Sequence, residues 1–135
     1  TCLESIKEHT DPENQYDIVI FHTDITACNQ RRISGILKGL KNIRLTFINI
    51  GSIVADYTLD AREHITTETF YRFLILDLME YYEKVIYLDC DLVVNADLAL
   101  LHQVEMGDRL IAATLDADFI GQLNIPGATT LAYSK

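Results

Sequence analysis

The residues with the clearest chemical potential are Asp89 and Asp91, which flank Cys90 at the end of the apolar run KVIYL and are followed by LVV. Successive side chains of an extended chain point to opposite sides. Residues two apart therefore share a side, and the two carboxylates can converge on one ion while Cys90 points away. Hard oxygen donors of this kind suit Mg²⁺ or Mn²⁺, which take near-octahedral sites shared between one or two carboxylates, waters and phosphate oxygens. A cation held there would screen the like charges, bridge the oxygens of a diphosphate and stabilise the charge that grows on a departing group. The plain alternative is a pair of solvated aspartates that close a turn. The apolar flanks weigh against it, because unpaired carboxylates at such a strand end are costly to desolvate and a bound cation relieves that cost.

A pair of this kind works only if a sheet holds it, since ligands of open α/β sheets bind beyond the carboxyl ends of the strands. The pattern along the chain supplies such a sheet. Residues 1–10 read as the end of a helix closed by Thr10-Asp11-Pro12. Residues 16–21, YDIVIF, and 43–50, IRLTFINI, read as buried parallel strands. Between them Asp24 or Thr26 caps a helix in which Ile33, Ile36, Leu37 and Leu40 recur at helical spacing, with Gly39 near its stop. Residues 51–66 keep no period and read as a connection. A helix then starts at Thr67, with Phe70, Phe73, Leu74, Leu78 and Tyr81 on its core side and Tyr71, Ile75 and Tyr82 widening the stripe. Residues 84–88 form a third strand running into Asp89, LVV resumes extended structure, 96–104 is a short helix, and 109–115, RLIAATL, is a further strand ending at Asp116. Strand, helix, strand, helix, strand is the order of an α/β sheet wound with crossovers.

Bulk properties agree with one globular domain. A chain of 135 residues at 49% hydrophobic content can bury a core. No apolar run approaches the roughly 20 residues that span a bilayer, and the first residues lack the basic-then-apolar build of an export signal. Cys2, Cys28 and Cys90 are widely spaced and odd in number, which suits reduced thiols and a cytoplasmic setting. The formal charge of −9 argues against nucleic acid as a partner. An anionic small molecule would need a cation or a local basic group to be bound here.

Residues 64–116 resemble glycosyltransferase family 8, the group that includes bacterial lipopolysaccharide galactosyltransferases and glucosyltransferases. The resemblance rests on HITTETFYRFLILDLMEYYEKVIYLDCDLVV and RLIAATLDAD, in which the helix with its arginine, the spacing to Asp89 and Asp91, and the later strand ending in aspartate fall in the family order. It implies a GT-A nucleotide-diphospho-sugar transferase fold with a mixed, mostly parallel sheet and flanking helices. It also implies a UDP-sugar donor, a saccharide or other hydroxyl acceptor, Mn²⁺ or Mg²⁺, and hexosyl transfer with retention of configuration. On the same likeness Asp89 and Asp91 ligate the metal, and Asp89 and the backbone around Cys90 lie near the donor nucleotide. Arg72 contacts the donor sugar and diphosphate, His64 faces the acceptor side, Ile65 faces the nucleotide, and Asp116 lines the sugar pocket. Each has a plainer reading. Arg72 stands four residues after Glu68 and would make a surface helix pair of about 0.3–0.5 kcal/mol, His64 would be a loop histidine, and Asp116 a turn residue.

The departures from the family pattern are equally definite. Its opening strand with an Ala-x-x-Asp-x-x-Tyr segment, its Asn-Ala-Gly stretch, its Asp-Gln pair and its His-x-x-Gly-x-x-Lys segment with a third metal ligand have no counterpart in these 135 residues. The chain thus reads as one partial catalytic domain, the nucleotide and metal half, incomplete at both ends and without a catalytic residue of its own. Negligible transfer by the isolated chain is the expectation. Peripheral attachment of the full-length protein to the inner membrane face is compatible with this reading. Two rival readings stand beside it: a haloacid-dehalogenase-like phosphatase, in which the first aspartate is a nucleophile, and a non-catalytic nucleotide-sugar-binding domain.

Overall fold

Two segments rich in β-branched residues, β1 (Tyr16–His22) and β2 (Ile43–Asn49), pair in parallel, with Tyr16 opposite Ile43 and His22 opposite Asn49. The structure is a computed structural model and describes residues 1–55 and 67–113. Parallel neighbours need a crossover. Helix α2 (Ala27–Ile36) provides it. Thr26 caps α2 by accepting from the Asn29 N–H at 3.4 Å, and beyond its end Gly39 adopts φ +95°, a left-handed turn that turns the chain into β2. Of the two caps the sequence allows, Thr26 is the one used. The strands are half-buried along most of their length rather than buried on both faces.

Helix α1 (Cys2–His9) buries Ser5 and Ile6, and carries Glu4 in its first turn with Lys7 and His9 in its last, which suits the helix dipole. Short helices follow: α3 (Gly51–Ala55), a 3₁₀ segment (Thr67–Leu74) continuous with α4 (Ile75–Leu78), and α5 (Leu98–His102). The buried apolar residues are Ile6, Leu37, Ile50 and Leu74, with Ser5, His22 and Asn42 as buried polar ones. Each of these polar groups is bonded. Ser5 Oγ donates to Cys2 O at 2.8 Å, His22 Nδ1 accepts from the Ile25 N–H at 3.2 Å, and Asn42 Nδ2 donates to Asp11 O and Asn14 O at 3.0 and 3.1 Å.

Three expectations need correction. The helix from Thr67 is 3₁₀ up to Leu74, with three residues per turn, so residues three apart align. Tyr71 and Leu74 face inward together, and Phe73 and Tyr81, read as core, are 64% and 90% exposed. The different period accounts for Phe73, whereas Tyr81 lies past the end of α4, in a turn, where no helical stripe reaches it. Residues 84–88, 92–94 and 109–113 join no ladder, and the sheet among the described residues has two strands. A β-branched run specifies an extended chain but not a neighbour to bond with. Finally, residues 51–55, read as connection, form α3, while 56–66 lie outside the described residues.

The chain divides into two compact units, Thr1–Val104 and Glu105–Lys135. All the helices and strands named above belong to the first. In the second, a turn is closed by the Arg109 N–H donating to Met106 O at 3.2 Å, with Gly107 at φ +59°.

Candidate functional site

The segment that carries Asp89 and Asp91 is tied down from several sides. Upstream, Tyr82 donates its hydroxyl to Asp17 Oδ2 on β1 at 3.2 Å, and Lys84 Nζ donates to His102 O and Val104 O at the end of α5 at 2.7 and 3.0 Å. An ammonium at a helix C-terminus satisfies carbonyls that lack helical partners. Downstream, the Val94 N–H donates to the buried Ser5 Oγ of α1 at 2.9 Å. Further on, Asp97 caps α5 through the Ala99 N–H at 2.9 Å. Its two oxygens also accept from Tyr16 Oη at 2.7 Å, Asn14 Nδ2 at 3.2 Å and the Asp11 N–H at 3.3 Å. The Ala99 N–H, followed by the side-chain donors, holds the Asp97 carboxyl below the usual range. Asp97 therefore joins the loop before β1 to the helix after the acidic pair.

Within this frame three side chains meet. The Tyr87 hydroxyl donates to Asp89 Oδ1 at 2.7 Å, the Arg72 guanidinium lies over the Tyr87 ring at 5.1 Å from its centre, and Arg72 Nη2 is 4.0 Å from the same Oδ1. Burial, then the bond to Asp89, pushes the Tyr87 hydroxyl above its ordinary pKa, so it is a proton donor throughout the neutral range. Leu74, which is buried, fixes the 3₁₀ segment that presents Arg72. Arg72 and Asp89 remain about half exposed, at 44% and 55%, and accessible to a ligand.

The acidic pair itself is arranged differently from the expectation. Cys90 and Asp91 lie in a turn, not on a continuous strand, so pleat alternation does not fix the direction of one carboxylate relative to the other. Both carboxylates and the Cys90 thiol are exposed. Burial, followed by the charges of Cys90 and Asp91, raises the pKa of Cys2 at the start of α1. His64, Ile65 and Asp116 lie outside the described residues.

The donor set fits a hard divalent cation as far as this chain supplies one. Asp89 Oδ1 is engaged by Tyr87, its Oδ2 takes no hydrogen bond among the described residues, and Asp91 is exposed. No group of three or more metal-ligating side chains occurs among the described residues. A Mg²⁺ or Mn²⁺ that keeps waters and substrate phosphates needs only one or two protein carboxylates. Tyr87, by contrast, went unnoticed in the sequence as anything but an apolar strand residue. The signal was present: it stands two before Asp89, on the same side if the chain is extended.

Comparison with known proteins places this geometry in context. The family model described as Glycosyl transferase family 8 matches residues 1–130. General stress protein A of Bacillus subtilis (strain 168) is 24% identical over 115 residues, covering 84% of this chain and 40% of that protein. Glycosyltransferase GlyD of Streptococcus pneumoniae serotype 4 (strain ATCC BAA-334 / TIGR4) is 36% identical over 61 residues, covering 45% of this chain and 7% of that protein. Among solved structures, the apo structure of the bifunctional glycosyltransferase WbbM superposes with a TM-score of 0.77 at 31% identity, covering 90% of this chain and 21% of that one. The chain thus spans well under half the length of each. The parallel pair with its flanking helices is part of an α/β fold of the GT-A type.

Proposed function

This chain belongs to glycosyl transferase family 8, and we propose that it forms the nucleotide and metal half of one catalytic domain that transfers a hexose from a UDP-sugar to a saccharide or other hydroxyl acceptor with retention. The observation that carries the proposal is the meeting of Arg72, Tyr87 and Asp89, in which a guanidinium and a carboxylate stand 4.0 Å apart, both open to solvent. Asp89 and Asp91 would hold Mn²⁺ or Mg²⁺. The bound cation supplies charge stabilisation at the donor diphosphate as the nucleotide departs.

What the chain's own residues do follows from their chemistry. Arg72, with a guanidinium that is always charged and presents several N–H donors, binds the diphosphate side of the donor. A chain with a net charge of −9 otherwise repels such a ligand, so a local cationic group is required. The backbone at Cys90 lies by the ribose. Ile65, His64 and Asp116 are assigned by family likeness to the nucleotide, acceptor side and sugar pocket. Family membership removes the ground for the phosphatase reading. No helix of the described residues is long and apolar enough to cross a membrane, and a cytoplasmic protein, peripheral to the inner membrane face when full-length, is part of the proposal.

The test is a panel of UDP-sugars given to the complete protein with Mn²⁺, reading binding, donor hydrolysis and transfer separately. Hydrolysis or transfer of one donor supports the enzyme. Binding with neither would replace it with the non-catalytic nucleotide-sugar-binding module.

A further inference from the structure

Charge is spread unevenly along this chain. Residues 25–55 hold five of its basic residues, Arg31, Arg32, Lys38, Lys41 and Arg44, and no acidic one, so all 20 Asp and Glu lie elsewhere. Arg44 is ion-paired with Asp17. The other four are exposed, and none of them makes an ion pair among the described residues. Arg31 and Arg32 stand on α2, and Lys38 follows in the turn at its end, where its N–H donates to Gly35 O at 3.3 Å. At 3.6 residues per turn, Arg31 lies across the helix from the half-buried Ile33 and Ile36 and the buried Leu37. The spacing from Arg31 to Lys38 is two turns, which returns Lys38 near the side of Arg31. Ala27, Cys28, Ser34 and Gly35 on that side are small and exposed, so an extended surface can approach the long basic side chains unobstructed.

Such a face is complementary to a plane of anionic headgroups. Screening confines charge interactions to about 8–10 Å, so a bilayer in contact with α2 meets the local cations rather than the net charge of −9. No large apolar side chain of residues 25–50 is exposed, so the helix rests on the headgroups without entering the acyl region as an amphipathic anchor does. Residues 25–46 contain no aromatic residue, which leaves no platform on which the bases of a single-stranded nucleic acid could stack. We propose that the face of α2 carrying Arg31, Arg32 and Lys38, with Lys41 beside it, docks by charge on a bilayer of anionic phospholipid. The inference names a contact surface for the peripheral attachment proposed above and rests on that reading.

The experiment is co-sedimentation of the complete protein with vesicles of phosphatidylcholine alone or mixed equally with phosphatidylglycerol. It compares wild type, Arg31→Gln, Lys7→Gln as a charge-matched control on α1, and the variant with Arg31, Arg32, Lys38 and Lys41 all changed to Gln. Thermal midpoints without vesicles are measured beside it. A basic residue near an anionic surface contributes about five-fold in affinity, so Arg31→Gln is expected to bind mixed vesicles about five-fold more weakly, and Lys7→Gln as wild type does. The fourfold variant should fall to the level seen with phosphatidylcholine alone, with an unchanged midpoint. Wild-type binding should also be lost between about 0.1 M and 1 M salt, as the screening length drops from roughly 10 Å to 3 Å. Equal binding by wild type and both patch variants overturns the inference and leaves peripheral attachment to another surface. Equal weakening by Arg31→Gln and Lys7→Gln overturns it as an effect of net charge alone. Displacement of wild type from mixed vesicles by a lower concentration of duplex DNA than of lipid overturns the lipid assignment. Absence of wild-type binding to either vesicle overturns this inference and the peripheral reading together.

Discussion

Arg72 is the residue whose chemistry is hardest to replace. It lies over the Tyr87 ring and within 4.0 Å of Asp89 Oδ1, so it is held as a plane as well as a charge. Lysine keeps the charge but loses the planar fork and the broad contact with the ring. Arg72→Lys is therefore expected to behave closer to Arg72→Ala than to wild type. Each should weaken UDP-sugar binding by about ten-fold, the size of a lost charge-assisted hydrogen bond of roughly 1.5 kcal/mol, with the metal-free thermal midpoint little changed. Calorimetric titration with donor in the presence of Mn²⁺ checks this. A lysine variant of wild-type affinity would mean that charge alone is used.

At the scale of elements, the frame depends on a few buried or multiply bonded positions. Ile50 is fully buried, and its N–H donates to His22 O at 2.9 Å just past β2. Ile50→Ala should cost about 2–5 kcal/mol, as core truncations do, read from urea unfolding. Asp97 is held below its unfolded pKa, first by the Ala99 N–H and then by Tyr16, Asn14 and the Asp11 N–H. Its stabilising contribution is therefore complete above the unfolded value of about 3.9 and is lost as pH falls through the lower folded value. Asp97→Ala should destabilise by about 0.5–2 kcal/mol at pH 7, the cost of a lost helix cap. The gap to wild type should narrow progressively below about pH 4, which thermal melts across that range will show.

The same elements explain how much could be read before the structure. The unit β1, α2, β2 was legible because its signals are local: two β-branched runs, Thr26 as a cap and Gly39 as a stop. Residues 84–88 were misread as a strand because a ladder requires a neighbour that local pattern does not name. The segment from Thr67 was misread because an apolar run serves a 3₁₀ turn as well as an α-helix, and the two place Phe73 on different faces. At the site, Asp89 was singled out by type and spacing and Arg72 by the family resemblance, and the structure brings the two within 4.0 Å. The contact of Tyr87 with Arg72 spans 15 positions of sequence, which periodicity does not reveal.

For the whole molecule, the acidic balance and the acidic turn pose one problem with one solution. On the proposed reading, a chain of net charge −9 accepts a diphosphate through a cation or a local basic group such as Arg72, and Asp89 and Asp91 would hold the cation. The chain spans 40% of General stress protein A and 21% of the WbbM structure, so metal and donor affinity in these 135 residues alone should be weak and transfer negligible. Robust turnover by the isolated chain would contradict that. The most direct measurement is the thermal midpoint of the complete protein with UDP, with and without Mn²⁺. Ligand at about 100 times its Kd adds roughly 2.7 kcal/mol, so a clear upward shift is expected that requires Mn²⁺ and vanishes in Asp89→Asn and Asp91→Asn. Equal stabilisation by UDP without the metal, or its survival in both variants, would contradict the account.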